Sequence, residues 1–128
     1  MDDSIEINKN SRTIKMYLNP EDDKRALRIL NNFPKPLYPS TFEIWEYLIA
    51  NFEWNSIIDV GANYGEMSCS AFLFRLDDNV RIHIFEPSRE LFRLLRKTFE
   101  NATNVFLNQK AMSSHNGNVY FRNFKNNS

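Results

Sequence analysis

The sequence is short of the residues that most simply announce a site. Its one cysteine, Cys69, rules out an internal disulfide framework, and with only two histidines a structural zinc site would need carboxylates to complete it. Only three glycines occur in 128 residues, and they do not form the Gly-x-Gly-x-x-Gly fingerprint of a dinucleotide loop. Neither sign of charge predominates: 16 basic residues face 16 acidic ones. The portions before and after Trp54 are both close to neutral, which argues against a nucleic-acid or anionic-membrane binder driven by bulk charge. No apolar run approaches the roughly 20 residues of a membrane span. The acidic start, Met1-Asp2-Asp3-Ser4-Ile5-Glu6, lacks the apolar stretch of a signal peptide. These absences predict a soluble, cytoplasmic domain with no metal, no nucleic acid and no membrane span.

What is present is globular. Hydrophobic residues make up 42% and charged residues 25%, and a chain of this length can bury roughly two-thirds of its unfolded surface. Ile5 and Ile7 alternate before Asn8-Lys9-Asn10-Ser11, and Ile14, Met16 and Leu18 alternate after it, which predicts a β-hairpin over 4–18. Ala26, Leu27, Ile29 and Leu30 predict a short helix within 21–32. Pro34, Pro36 and Pro39 then predict an extended linker. Ser40-Thr41-Phe42-Glu43 has the capping-box pattern, heading a helix that ends near Asn51. The expected organisation is therefore an N-terminal hairpin, helix and Pro-rich linker over 1–39, followed by a second portion over 40–128.

The second portion alternates. Ser56-Ile57-Ile58-Asp59-Val60 is a short apolar run suited to a strand covered on both faces. A helix follows over 66–76, a strand over 81–85, and a helix N-capped by Ser88 with Leu91, Phe92, Leu94, Leu95 and Phe99 on one face. A third strand lies at 105–107. Asn116-Gly117, with Val119 and Phe121 beyond it, predicts a closing hairpin. The order β-α-β-α-β plus hairpin implies an α/β fold with a parallel sheet and right-handed crossovers, one half of a Rossmann-like doubly wound domain.

The chemistry gathers at the turn after the first of these strands, Asp59-Val60-Gly61-Ala62-Asn63-Tyr64-Gly65. Ligands of open α/β sheets bind in the crevice beyond the strand ends. Gly61 lets the chain turn sharply and lets a ligand approach the backbone, and Gly65 precedes a helix whose free N–H groups carry partial positive charge. Asn63 stands where a dinucleotide loop has its middle glycine. Asp59 would repel a pyrophosphate, yet it would attract the ammonium and sulfonium of S-adenosylmethionine. Glu86, closing the second strand, can accept hydrogen bonds from ribose hydroxyls in either ligand. The pattern favours S-adenosylmethionine over NAD. An NAD-linked oxidoreductase or sugar-nucleotide enzyme, and a cofactor-free remnant or interaction module, stay open.

These residues resemble a family. Asp59-Val60-Gly61-Ala62-Asn63-Tyr64-Gly65-Glu66-Met67-Ser68 is similar to the first motif of the FkbM-type S-adenosylmethionine-dependent methyltransferases, and Phe85-Glu86-Pro87-Ser88 with the leucines after it resembles the second. Ala111-Met112-Ser113, then Gly117 and Val119, resembles the region after the third strand. The resemblance covers about residues 56–121. It implies a class I methyltransferase fold, in the complete protein a three-layer sandwich around a seven-stranded sheet. The implied activity is O-methylation of a sugar or another small metabolite. Asp59, Gly61, Ala62, Asn63 and Gly65 are implied around the methionine moiety, Glu86 at the ribose, and Lys110 and Ala111 near the adenine. The family's acidic fourth-strand segment has no counterpart here, so the chain resembles the N-terminal part of such an enzyme. The strand 56–60, central in the family, then becomes an apolar edge, and self-association through it is expected. No residue is singled out as the catalytic base.

Elsewhere the sequence predicts ordinary roles. Cys69 is expected to be a packing residue and His83 a buried strand residue. His115 is expected in solvent, and Arg89, Arg93, Arg96 and Lys97 on a wet helix face.

Overall fold

The computed structural model describes residues 2–21, 23–74 and 79–120. A hairpin opens the chain, β1 (Asp3–Lys9) antiparallel to β2 (Arg12–Leu18), with Lys9 opposite Arg12. Its two-residue turn needs positive φ at both positions; Asn10 and Ser11 supply 52° and 63°. Helix α1 (Lys24–Asn32) is N-capped by Asp23, whose carboxylate accepts from the Arg25 backbone N–H at 2.8 Å.

Helix α2 (Pro39–Asn51) departs from the expected start. The Ser40-Thr41-Phe42-Glu43 capping box is not formed, because the helix begins earlier, with Tyr38 at the N-cap and no side-chain cap bond. Proline is tolerated in the first turn, where its missing N–H would have no intrahelical partner. Pro39 therefore starts the helix instead of ending the linker.

The α/β portion forms as the alternation predicts: β3 (Ser56–Val60), α3 (Glu66–Phe74), β4 (Arg81–Phe85), α4 (Arg89–Thr98) and β5 (Val105–Asn108). The expected helix residues 75 and 76 lie outside the described residues. The three strands are parallel in the order β3-β4-β5, with Ile58 level with His83 and Val60 level with Phe85. This is the β-α-β-α-β arrangement of a partial Rossmann-like fold. Ser88 caps α4 as expected, accepting from the Leu91 N–H at 3.4 Å. The hairpin expected around Asn116-Gly117 is not formed among the described residues. Residues 109–120 contain no strand and are exposed throughout, and Phe121 lies outside the described residues. A tight-turn signal does not hold two strands together when nothing packs on them.

Helix α3 packs on β4, Leu94 and Leu95 of α4 join the same buried cluster as Ile82 and Ile84, and the β1–β2 hairpin packs on both helices. Ile14, Met16 and Leu18 of the hairpin join Ile57, Ile82, Ile84, Leu94, Leu95 and Phe99 in one buried cluster. Polar contacts fasten the layers. The Tyr17 N–H donates to the Thr98 hydroxyl at 3.0 Å, and the Trp45 indole donates to the Met67 carbonyl at 2.9 Å. Arg93 and Lys97 both reach the Asp2 carboxylate, at 2.8 and 2.7 Å. The expected wet face is found, with Arg89, Arg93 and Arg96 exposed, and from it Arg93 and Lys97 also tie α4 to Asp2. Among the described residues no helix is long and apolar enough to cross a membrane.

Candidate functional site

Where β3 ends, the backbone must leave the sheet and start α3 within five residues. Gly61 and Ala62 N–H groups both donate to the Phe85 carbonyl, at 2.8 and 3.2 Å, so the turn stays attached to β4. Gly61 (φ +70°) and Asn63 (φ +58°) take left-handed conformations, which glycine and asparagine adopt most readily. A Cβ added at Gly61 would meet nothing within 4 Å, so that backbone borders open space. Gly65 differs. A Cβ there would lie 2.8 Å from Leu95 and 3.2 Å from Phe99, so its lack of a side chain serves the close approach of α3 to α4.

Asp59 and Glu86 come to this turn from adjacent strands. The Ser68 hydroxyl donates to Asp59 Oδ2 at 2.6 Å. Burial nonetheless pushes the Asp59 carboxyl above the usual carboxylate range, the bond to Ser68 offsetting part of that shift. Glu86 is buried, and both its oxygens are engaged: Oε1 accepts from the Asn63 N–H at 2.9 Å and Oε2 from the Ser88 N–H at 2.8 Å. Glu86 thus organises the turn itself, a role the sequence reading did not assign it.

A cavity of about 210 Å³ opens here, lined by Asp59, Gly61, Ala62 and Asn63 together with residues from upstream. Gly65, Glu86, Lys110 and Ala111 lie outside its lining. Lys110 and Ala111 are exposed in the segment after β5, whose last residue, Asn108, accepts the Glu86 N–H through its carbonyl at 3.1 Å. The volume is below the roughly 300–1,000 Å³ of pockets that enclose a whole small ligand.

Glu66, Arg25, Tyr38, Thr41, Phe42 and Met67 also line it, and sequence reasoning missed all of them as site residues. Glu66, directly after the glycine turn, was within reach of the motif. Arg25 and Tyr38 had no local signal, since only tertiary folding brings them here. Burial raises the Glu66 carboxyl and the nearby Asp59 carboxylate raises it further, while the Arg25 guanidinium opposes both. The remaining expectations resolve simply. Cys69 is buried and burial pushes its thiol up, as for a packing residue. His83 departs from its expected burial: it is half-buried, its ring stacked on the exposed Phe106 at 5.2 Å between centroids, whereas His115 is exposed as expected.

No protein-family model matches the sequence, and no curated protein matches it. Among solved structures, the chain is similar to a SAM-dependent O-methyltransferase from Thermotoga maritima, with 15% sequence identity and a TM-score of 0.49. The match covers 83% of this chain and 40% of that one, so the chain spans less than half the length of this neighbour.

Proposed function

We propose that the chain is the cofactor-binding portion of an S-adenosylmethionine-dependent methyltransferase of FkbM type, in which residues 40–128 carry the motifs of the cofactor site and 1–39 flank them, Arg25 and Tyr38 reaching its wall. The observation that carries this reading is the charge of the crevice. Two carboxylates, Asp59 and Glu66, line the cavity beyond the end of β3, and the Arg25 paired with Glu66 leaves the lining with one net negative charge when both are ionised. A dinucleotide enzyme would receive a pyrophosphate here. Carboxylates in a partly buried site repel that group and attract an ammonium and a sulfonium. Asp59, Gly61, Ala62 and Asn63 border the methionine end in this reading, and Gly65 closes the turn behind them. Glu86 serves the ribose. A carboxylate has about four lone-pair sites, so its bonds to Asn63 and Ser88 leave capacity for hydroxyl donors. Lys110 and Ala111, beyond β5, adjoin the adenine.

The cofactor supplies an electrophilic methyl on sulfur. The protein's part is to align that methyl with an acceptor oxygen while a base removes the oxygen's proton. The acceptor proposed is a small metabolite hydroxyl, such as that of a carbohydrate. Calorimetric titration of this chain with S-adenosylhomocysteine and, separately, with NAD tests the reading. Saturable binding of the first, weakened in Glu86→Gln, is expected. Saturable NAD binding, or no S-adenosylhomocysteine binding by a folded chain, overturns it.

A further inference from the structure

The crevice is closed on one side by residues that precede the motif-bearing region. Arg25, in the first turn of α1, is held there at several points. Its Nε and Nη2 donate to Glu66 Oε1 at 3.3 and 3.0 Å, and its guanidinium carbon lies 6.0 Å from the Tyr38 ring centroid. Asp23, one residue outside α1, accepts from the Arg25 N–H at 2.8 Å and from the buried Tyr64 hydroxyl at 2.6 Å. Tyr64 belongs to the turn after β3. The start of α1 is therefore pinned to that turn at Tyr64 and to the first residue of α3 at Glu66, which keeps the guanidinium in the cavity wall.

Charge balance says what the guanidinium is for. With Asp59 and Glu66 ionised, the lining carries two negative charges and one positive, from Arg25. The amino-acid end of S-adenosylmethionine carries an ammonium, a sulfonium and a carboxylate. The two cations suit Asp59 and Glu66, but the same side chains repel the ligand carboxylate. Arg25 is the cation among the lining residues that can offset this. A guanidinium has five N–H donors in a planar fork, and the Glu66 contact uses two of them. The fork also matches a carboxylate better than an ammonium does.

We propose that Arg25 grips the carboxylate of the cofactor's amino-acid end, so that helix α1, outside the motif region, selects nucleosides bearing an amino acid over plain nucleosides. This rests on the reading of the crevice as an S-adenosylmethionine site. Tyr38 and Thr41, on the same wall, add hydroxyls to the grip.

The test is a pair of calorimetric titrations on each variant, with S-adenosylhomocysteine and with 5′-methylthioadenosine, which keeps the adenosine and thioether but lacks the amino acid. Arg25→Gln can still donate to Glu66 but has no charge. It is expected to bind S-adenosylhomocysteine about tenfold or more weakly and 5′-methylthioadenosine as the parent does. Arg25→Lys keeps the charge without the fork and is expected to fall between; it carries the same test if Arg25→Gln does not fold. Equal weakening of both probes would make Arg25 a support for α1 and overturn the proposal, as would unchanged S-adenosylhomocysteine binding. A parent chain that binds only 5′-methylthioadenosine overturns the proposal but leaves a nucleoside site. A parent chain that binds neither overturns the cofactor reading itself.

Discussion

The two faces of the parallel sheet come from the same strands and have opposite fates. Ile57, Ile82 and Ile84 point into the α3–α4 layer, and Ile82 and Ile84 are fully buried. On the alternate positions of β3 and β5, Ile58, Val60 and Phe106 remain exposed, at 59%, 55% and 44%, while His83 and Phe85 of β4 are half-buried. Side chains alternate across a strand, so each strand writes both faces at once. Strands of parallel sheets are apolar on both sides because helices ordinarily cover both. Here the helices over one face come from this portion of the chain, since right-handed crossovers in the order β3-β4-β5 place α3 and α4 on the same side. Among the described residues no helix lies over the second face, and β3 is an edge of its sheet. An apolar face beside an unpaired apolar edge is a surface on which chains pair.

Core truncation separates the faces most widely. Ile84→Ala is expected to lose about 2–5 kcal/mol, because it removes packing and leaves a cavity. Ile58→Ala should stay within about 0.5 kcal/mol. Urea unfolding of both variants checks this, and equal losses would mean that the second face is covered too.

The two turn glycines make a smaller contrast. Gly65→Ala adds a methyl 2.8 Å from Leu95 at a φ of +88° and should lose about 2 kcal/mol or more. Gly61→Ala meets no atom within 4 Å and should lose only the roughly 1–2 kcal/mol of a left-handed alanine. Thermal melts rank the two, and Gly61→Ala should lower S-adenosylhomocysteine affinity more than its melt shift suggests, since its methyl projects into the crevice.

The open face gives the third comparison. Light scattering should show the parent chain associating as its concentration rises, and Ile58→Lys, a charge placed on that face, should reduce the association. A parent chain that stays monomeric at high concentration would count against pairing through this surface.

The smallest effect is electrostatic and confined to the packed side. The Asp59 carboxyl is raised by burial, so the folded chain holds this proton to higher pH than the unfolded chain does. Stability then falls as pH rises from the unfolded pKa through the folded one. Asp59→Asn removes this penalty while keeping an acceptor for Ser68. It should melt higher than the parent at neutral pH, and the advantage should shrink as the medium is acidified through the folded pKa and vanish below the unfolded one. The same variant should bind S-adenosylhomocysteine more weakly, stability being gained where a ligand contact is lost.

Much of this could be read locally. Alternation at Ile5, Ile7, Ile14, Met16 and Leu18 marked the hairpin, and the apolar runs at 56–60 and 81–85 marked two strands to the residue. Ser88 marked a cap because a side-chain acceptor at that place satisfies a nearby N–H whatever lies around it. Position 40 misled because a capping pattern competes with an upstream start at Pro39, and local chemistry permits both. Asn116-Gly117 misled because a turn preference holds no strands without a packed surface. Glu86 was expected at the crevice; its bond to Ser88 is local, two residues along the chain, but its bond to Asn63 joins segments that no spacing brings together.

The sequence by itself determined the alternation of strands and helices and the turn after β3, because backbone preference and side-chain period act over a few residues. Only the tertiary structure decided which glycine borders open space and which one is pressed against α4, which face of the sheet is covered, and that Arg25 stands beside Glu66. Those outcomes depend on contacts between segments far apart in the chain, and their energies arise only once desolvation and packing bring the segments together.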